Sequence, residues 1–220
     1  YVLAERPCFA NLRFGVTNHA EIITSKGTAG IGTKFYTVMA PNADPDNPNL
    51  GFGAGFLATE DNTTVTVSNF KITFTFNKGE SYLIDGRSES ADQADGFIGA
   101  TVVADKPISM SNGNFNGQYL SGRQIVGSDI LMDQSVPVDK LGDEFVIVKG
   151  FGTIIDKMER AIVVATEPGT AVYLNDSTTP LVVLANAGDY YVIDQTNYVN
   201  RTNLHFNMHI KTTKNVYVYQ

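Results

Sequence analysis

Apolar and polar side chains alternate along much of this chain. Phe70, Ile72, Phe74 and Phe76 are interleaved with Lys71, Thr73, Thr75 and Asn77. In an extended backbone successive side chains point to opposite faces, so this run places four large apolar groups on one side and polar groups on the other, the pattern of a half-buried antiparallel strand. Similar runs rich in Val, Ile, Thr, Tyr and Phe recur at 34–39, 63–67, 81–84, 98–103, 144–149, 161–166, 170–174, 189–193, 204–211 and 215–219. Turn-forming pairs separate them, among them Lys78-Gly79, Asn112-Gly113, Pro168-Gly169 and Ala187-Gly188. Helix signals are nearly absent. Many short strands with regular turns predict an all-β chain, a β-sandwich or barrel, and antiparallel β-sandwich is the expected form.

The pattern is also written twice. Ala58-Thr59-Glu60-Asp61-Asn62-Thr63-Thr64-Val65-Thr66-Val67 is answered by Ala165-Thr166-Glu167-Pro168-Gly169-Thr170-Ala171-Val172-Tyr173-Leu174. In the same order, Gly32–Tyr36 parallels Gly142–Val146, Gly79–Asp85 parallels Gly188–Asp194, and Lys106–Met110 parallels Lys214–Val218. An offset of about 107 to 110 residues is too long for a solenoid repeat, so each copy is expected to own a core. The 220 residues suit two such modules in tandem, 1–118 with N-terminal strands, then 119–220 with a connecting segment and the second copy. Phe35, Tyr82 and Ile84 should occupy the places of Phe145, Tyr191 and Ile193. The expected core includes Val65, Val67, Phe70 or its neighbours, Ile84, Val102, Val146, Ile162, Val164, Val172 and Ile193. The glycine-bearing stretch 112–141 reads as the connection, with Val136 buried and Asp133 and Gln134 bonding backbone at the junction. Residues 41–49, with Pro41, Pro45 and Pro48, and the acidic stretch 87–96 read as exposed loops.

A hydrophobic content of 43% with 18% charged residues belongs to a chain that folds. A net charge of −7 and scattered basic residues argue against a nucleic-acid partner, because phosphate binding needs clustered Lys and Arg. Cys8 is the only cysteine, which excludes an internal disulfide and a cysteine zinc site. No apolar run approaches the roughly 18 residues of a spanning helix, so no direct membrane insertion is expected. The alternating run Asn215–Gln220 at the end reads as part of a longer protein.

Candidate chemistry is sparse, and no enzyme is expected. The chain has no Gly-x-Ser-x-Gly elbow and no glycine loop followed by a phosphate-binding lysine. Gly51-Phe52-Gly53-Ala54-Gly55 precedes a strand rather than a helix and reads as close backbone packing. His205, Asn207 and His209 share one strand face, read as solvated, with the histidines too far apart to share a metal; His19 has no partner in sequence. Asn42, Asp44 and Asp46 alternate as oxygen ligands of calcium do, yet Asn47 stands at the loop's sixth position and Gly53 at its twelfth. Asp44 and Asp46 are therefore the metal candidates, for calcium, against a plain polar turn; no other cofactor is expected. Asp129, Asp133 and Gln134 form a second polar cluster, read as capping and turn bonding.

The ordered series Leu57–Val65, Asn77–Tyr82, Ile98–Ile108, Asp133-Gln134-Ser135-Val136-Pro137, Gly142–Phe145, Gly188–Tyr191 and Val216–Gln220 resembles the bacterial branch of the family named after the N-terminal domain of the IgG Fc-binding protein. The resemblance runs from about Lys26 to the end. It implies a non-catalytic segment of a large secreted adhesin at the cell surface, associated with the outer membrane, gliding motility and type IX secretion. Its implied partners are a surface polysaccharide, a partner surface protein or neighbouring domains of the same long chain. Two other readings stay open, a carbohydrate-binding module and a structural stalk or assembly domain. The family supplies no catalytic or ligand residues to carry over.

Overall fold

The structure is a computed structural model that describes residues 4–6, 8–16, 19–41, 51–68, 71–86, 94–117, 129–152, 159–202 and 205–220. Among these, contacts divide the chain into a first unit reaching to residue 117 and including 129–140, and a second from 141 to 220. Phe70, the calcium candidates Asp44 and Asp46, and most of both expected loops lie outside the described residues.

In the first unit, β1 (Asn11–Val16) and β2 (His19–Thr24) form a two-stranded hairpin. The remaining strands, β3 (Ile31–Tyr36), β4 (Gly51–Ala58), β5 (Thr63–Val67), β6 (Ile72–Phe76), β7 (Ser81–Gly86), β8 (Thr101–Gly117) and β9 (Asp129–Gln134), make one seven-stranded antiparallel sheet. Its order is β6-β5-β8-β4-β7, with β3 and β9 also on β8. Strand β8 organises the unit because its two halves hold different neighbours. Val102–Ala104 pair with β5, and Ile108 onward with β4. Between them a bulge interrupts the β3–β8 ladder at Gly32/Lys34, and Pro107, which has no N–H to give, falls in this break. The change of neighbours curls the sheet around its core. Phe74 on β6 stacks on Tyr82 on β7, with centroids 3.9 Å and planes 13° apart, although these strands are the two ends of the sheet order. The sheet is nearly closed, like a barrel.

The second unit repeats this plan with β10 (Gly142–Val148), β11 (Ala161–Ala165), β12 (Thr170–Leu174), β13 (Val182–Leu184), β14 (Tyr190–Ile193), β15 (Val199–Thr202) and β16 (His205–Tyr219). The order is β13-β12-β16-β11-β14, with β10 and β15 on β16. Registers coincide copy for copy. Val65 faces Ala104 as Val172 faces Thr212, Ala54 faces Ile84 as Ala161 faces Ile193, and Phe35 faces Val102 as Phe145 faces Ile210. Even the bulge recurs, at Gly142/Glu144. The chain is therefore all-β, two related antiparallel modules in tandem, and Phe35, Tyr82 and Ile84 do stand where Phe145, Tyr191 and Ile193 stand.

Burial follows the alternation. Val65, Val67, Ile84, Val102, Ile162, Val164, Val172 and Ile193 are all buried, each contributing about 1.5–3 kcal/mol by leaving water. Val146 corrects the expectation, being 65% exposed. On β10 it is Phe145 and Ile147 that face the core cluster, and Val146 pairs with His209 on the outer face.

Much of what is described in the stretch expected to connect the modules is sheet. Residues 112–117 finish β8, and Asp129–Gln134 return beside them as β9, so that 129–140 belong to the first unit. Asn112 and Asn114 read as loop residues because they are polar, but their amides are buried and bonded: Asn112 accepts from Val38 N, while Asn114 accepts from Ala40 N at 2.8 Å and donates to Ala40 O at 3.0 Å. Val136 is half-buried; its neighbours Ser135 and Pro137 are the buried ones. Gly53, in the glycine run, lies within β4 against Phe115, where an added Cβ would come within 2.5 Å of the ring. This is the close packing its glycines suggested.

Candidate functional site

Several repeated motifs are occupied by architecture. Beside each bulge, the Ala-Thr-Glu corner bonds a carbonyl of the long strand. Thr59 Oγ1 donates to Pro107 O, and Thr166 Oγ1 to Asn215 O at 2.6 Å. Thr63 and Thr170 close the corners by donating to Glu60 O and Glu167 O, each at 2.7 Å. Lys106 and Lys214 donate to the carbonyls of Asp61 and Pro168. The Asp133-Gln134 motif is likewise structural. Gln134 Oε1 accepts from Lys26 N at 2.6 Å, its Nε2 donates to Ser109 Oγ at 2.8 Å, and Asp133 pairs with the Lys26 ammonium. Asp129 Oδ1 lies 3.5 Å from His19 Nδ1 and accepts from Ala20 N, so His19 has a partner after all, one that only the β2–β9 approach reveals.

Among the described residues, a cluster on the outer face of the second unit is free of such duties. Across three adjacent strands, Glu144 on β10 faces Lys211 on β16, which faces Tyr173 on β12. One row further, His209 lies between two carboxylates. Its Nε2 is 2.7 Å from Glu144 Oε1, and its Nδ1 is 3.3 Å from Asp176 Oδ1. Asp176 is delivered by a tight turn after β12. Asn175 and Asp176 both have positive φ, 50° and 66°, and Ser177 N donates to Leu174 O, which is a type I′ turn of the kind that Asn-Asp pairs accept. The turn is pinned to β16, because Asn175 N donates to His209 O at 2.9 Å and His209 N donates to Asn175 Oδ1 at 3.1 Å. Around these groups lies an open cleft of about 560 Å³, also lined by Ser177 and Thr213.

The His205–Asn207–His209 face was expected to be solvated. His205 is exposed, but Asn207 and His209 are half-buried, with Asn207 Oδ1 accepting from Arg201 Nε at 3.1 Å. Both ring nitrogens of His209 face carboxylates, so neither is aimed at a hydroxyl nucleophile. The nearby Ser177 hydroxyl is held by Thr179, donating to its carbonyl at 2.9 Å and accepting from its N–H at 3.1 Å. Glu144 and Asp176 approach opposite sides of the imidazole and do not converge on one cation. Among the described residues, no group of three or more His, Cys, Asp or Glu side chains is arranged to hold a metal ion. The first unit lacks this arrangement, with Lys34 and Thr101 at the places of Glu144 and His209. Sequence reading found His209 but missed Glu144, Tyr173 and Asp176. The Asn175-Asp176 pair after a strand marked the turn; the strand register that brings it to His209 is long-range.

The family model described as IgGFc binding protein matches residues 22–220 of the chain. No curated protein matches it significantly. Among solved structures the chain is similar, at 10% identity, to the CsuC–CsuE chaperone–tip adhesion subunit pre-assembly complex from archaic chaperone-usher Csu pili of Acinetobacter baumannii. That overlay covers 85% of this chain and 89% of the other with a TM-score of 0.20, a score at which it carries no argument.

Proposed function

The chain belongs to the IgGFc binding protein family, and on that premise we propose that it is a non-catalytic adhesive segment of a large bacterial cell-surface protein, serving attachment or gliding. Domains of this family occur in extracellular proteins, and no described helix is long and apolar enough to cross a membrane. Export by type IX secretion and association with the outer membrane are part of the same proposal. The observation that carries it is family membership over 22–220. Two features of the fold support it. Each module commits one sheet face to its core, and part of the outer face of the second, around Glu144, Lys211 and Asp176, stays open to a partner. The chemistry of the outer cleft suits holding rather than turning over, since both nitrogens of its histidine face carboxylates.

The partner in this reading is a surface polysaccharide or another surface protein. A single copy binds weakly and a displayed array binds strongly, because linkage raises effective concentration without new contacts. The test compares retention of whole cells and of purified envelope on beads carrying the 220-residue chain at low and high density, with IgG Fc as a separate probe. Retention that rises steeply with density supports the reading. No retention at any density, or turnover of a bound substrate, overturns it.

A further inference from the structure

The outer cleft of the second unit combines a ring, fixed acceptors and a cation on a backbone that cannot easily rearrange. Glu144, Lys211 and Tyr173 stand in one row across three hydrogen-bonded strands, and Asp176 sits on a turn bonded to β16 in both directions. One oxygen of Glu144 lies 2.7 Å from His209 Nε2 and one of Asp176 lies 3.3 Å from its Nδ1. The side chains of Glu144 and Asp176 remain 58% and 74% exposed, so each carboxylate still presents acceptor capacity to the cleft. Carboxylates accept and do not donate, which matches a ligand dense in hydroxyl donors. Lys211 adds a donor for ring or hydroxyl oxygens, and the half-buried Tyr173 ring offers an apolar face beside them. A cleft of about 560 Å³ falls in the range of small-ligand sites.

We propose that this cleft is a saccharide subsite that seats a neutral pyranose against Tyr173, with its hydroxyls bonded to Glu144, Asp176 and Lys211. The proposal rests on the adhesive reading above and gives it a ligand class and an address. Two carboxylates against one lysine, on a chain of net charge −7, disfavour a polyanionic glycan. The site belongs to the second module alone, since the first has Lys34 and Thr101 in place of Glu144 and His209.

The test passes the full 220-residue chain over immobilised mannan, xylan and dextran, with polygalacturonate as the anionic comparison and free monosaccharide as competitor. Saturable binding to at least one neutral polysaccharide is expected. Tyr173→Ala should weaken it at least tenfold, Tyr173→Phe should largely restore it, and the exposed Lys211→Ala should weaken it without altering the melting temperature. Of the three imidazoles in the chain, only His209 should shift in NMR spectra on saturation. Binding to the polyanion only, binding unchanged in Tyr173→Ala and Lys211→Ala, or an unmoved His209 signal would overturn the proposal. Cell retention in the density assay that survives Tyr173→Ala would remove the cleft while leaving the adhesive reading in place.

Discussion

At the scale of single residues, the polar groups divide between those that repair the backbone and those that face outward. Thr59 and Thr166 belong to the first kind, each donating to a carbonyl beside a bulge, and Pro107 O accepts from Thr59 N as well, at 3.4 Å. Replacing either with Val keeps the shape and removes the hydroxyl bond, so each substitution should cost about 0.5–1.5 kcal/mol. The cost should appear as a lower midpoint in chemical denaturation, similar for the two variants because the two sites are copies. Tyr198 gives a second, pH-dependent test. Burial, reinforced by the negative charge of Glu159 and opposed by a hydrogen bond from Gln220, pushes its phenol up to about 12. The folded state thus holds its proton more tightly than the unfolded one, where the phenol titrates near 10. Its contribution is complete below about pH 10 and is lost as pH rises towards 12. Ultraviolet titration should show a tyrosinate that forms near pH 12, and Tyr198→Phe should remove it. The sequence disclosed neither group's role. Both depend on partners distant in the chain, such as Glu159 for Tyr198 and Asn215 for Thr166.

At the scale of elements, the long strands β8 and β16 decide each module, and most of their behaviour was legible. The period-2 pattern identified the strands, and the repeated motifs anticipated which residues would correspond. What it could not convey was that a polar stretch such as Asn112–Asn114 continues a buried strand, because the compensating bonds reach back to residues 38–40. The misreading of Val146 has a similar origin. Phe145, Val146 and Ile147 are all apolar, and alternation alone does not say which parity faces inward. The pairing of β8 with β9 can be tested at Gly113, which has φ 147° and where an added Cβ would collide with Leu131 O. Gly113→Ala should cost about 1–3 kcal/mol in backbone strain and displace β9. Hydrogen exchange should show the amides of 130–134 losing protection while those of β5 keep it. Protection retained in 130–134 would contradict the assigned pairing.

For the whole molecule, duplication gave two copies of one register and then let their outer faces diverge. The repeat was plain in the sequence because the corner and bulge motifs must be kept for the sheet to curl. The cleft was not, because Glu144, Tyr173, Asp176 and His209 come from three strands and a turn, and none forms a motif by spacing. Family membership ties both copies to one class of protein, and the divergent cleft supplies a surface on which binding can act. The most direct test is cell attachment measured in flow, comparing the parent strain with one whose native gene lacks, in frame, the codons for the segment spanning residues 22–220 of this chain. The account predicts that the shortened protein still reaches the cell surface, that growth is unchanged, and that attachment or gliding falls sharply and returns on complementation. Undiminished attachment with the segment gone, or a cytosolic location for the full-length protein, would contradict it.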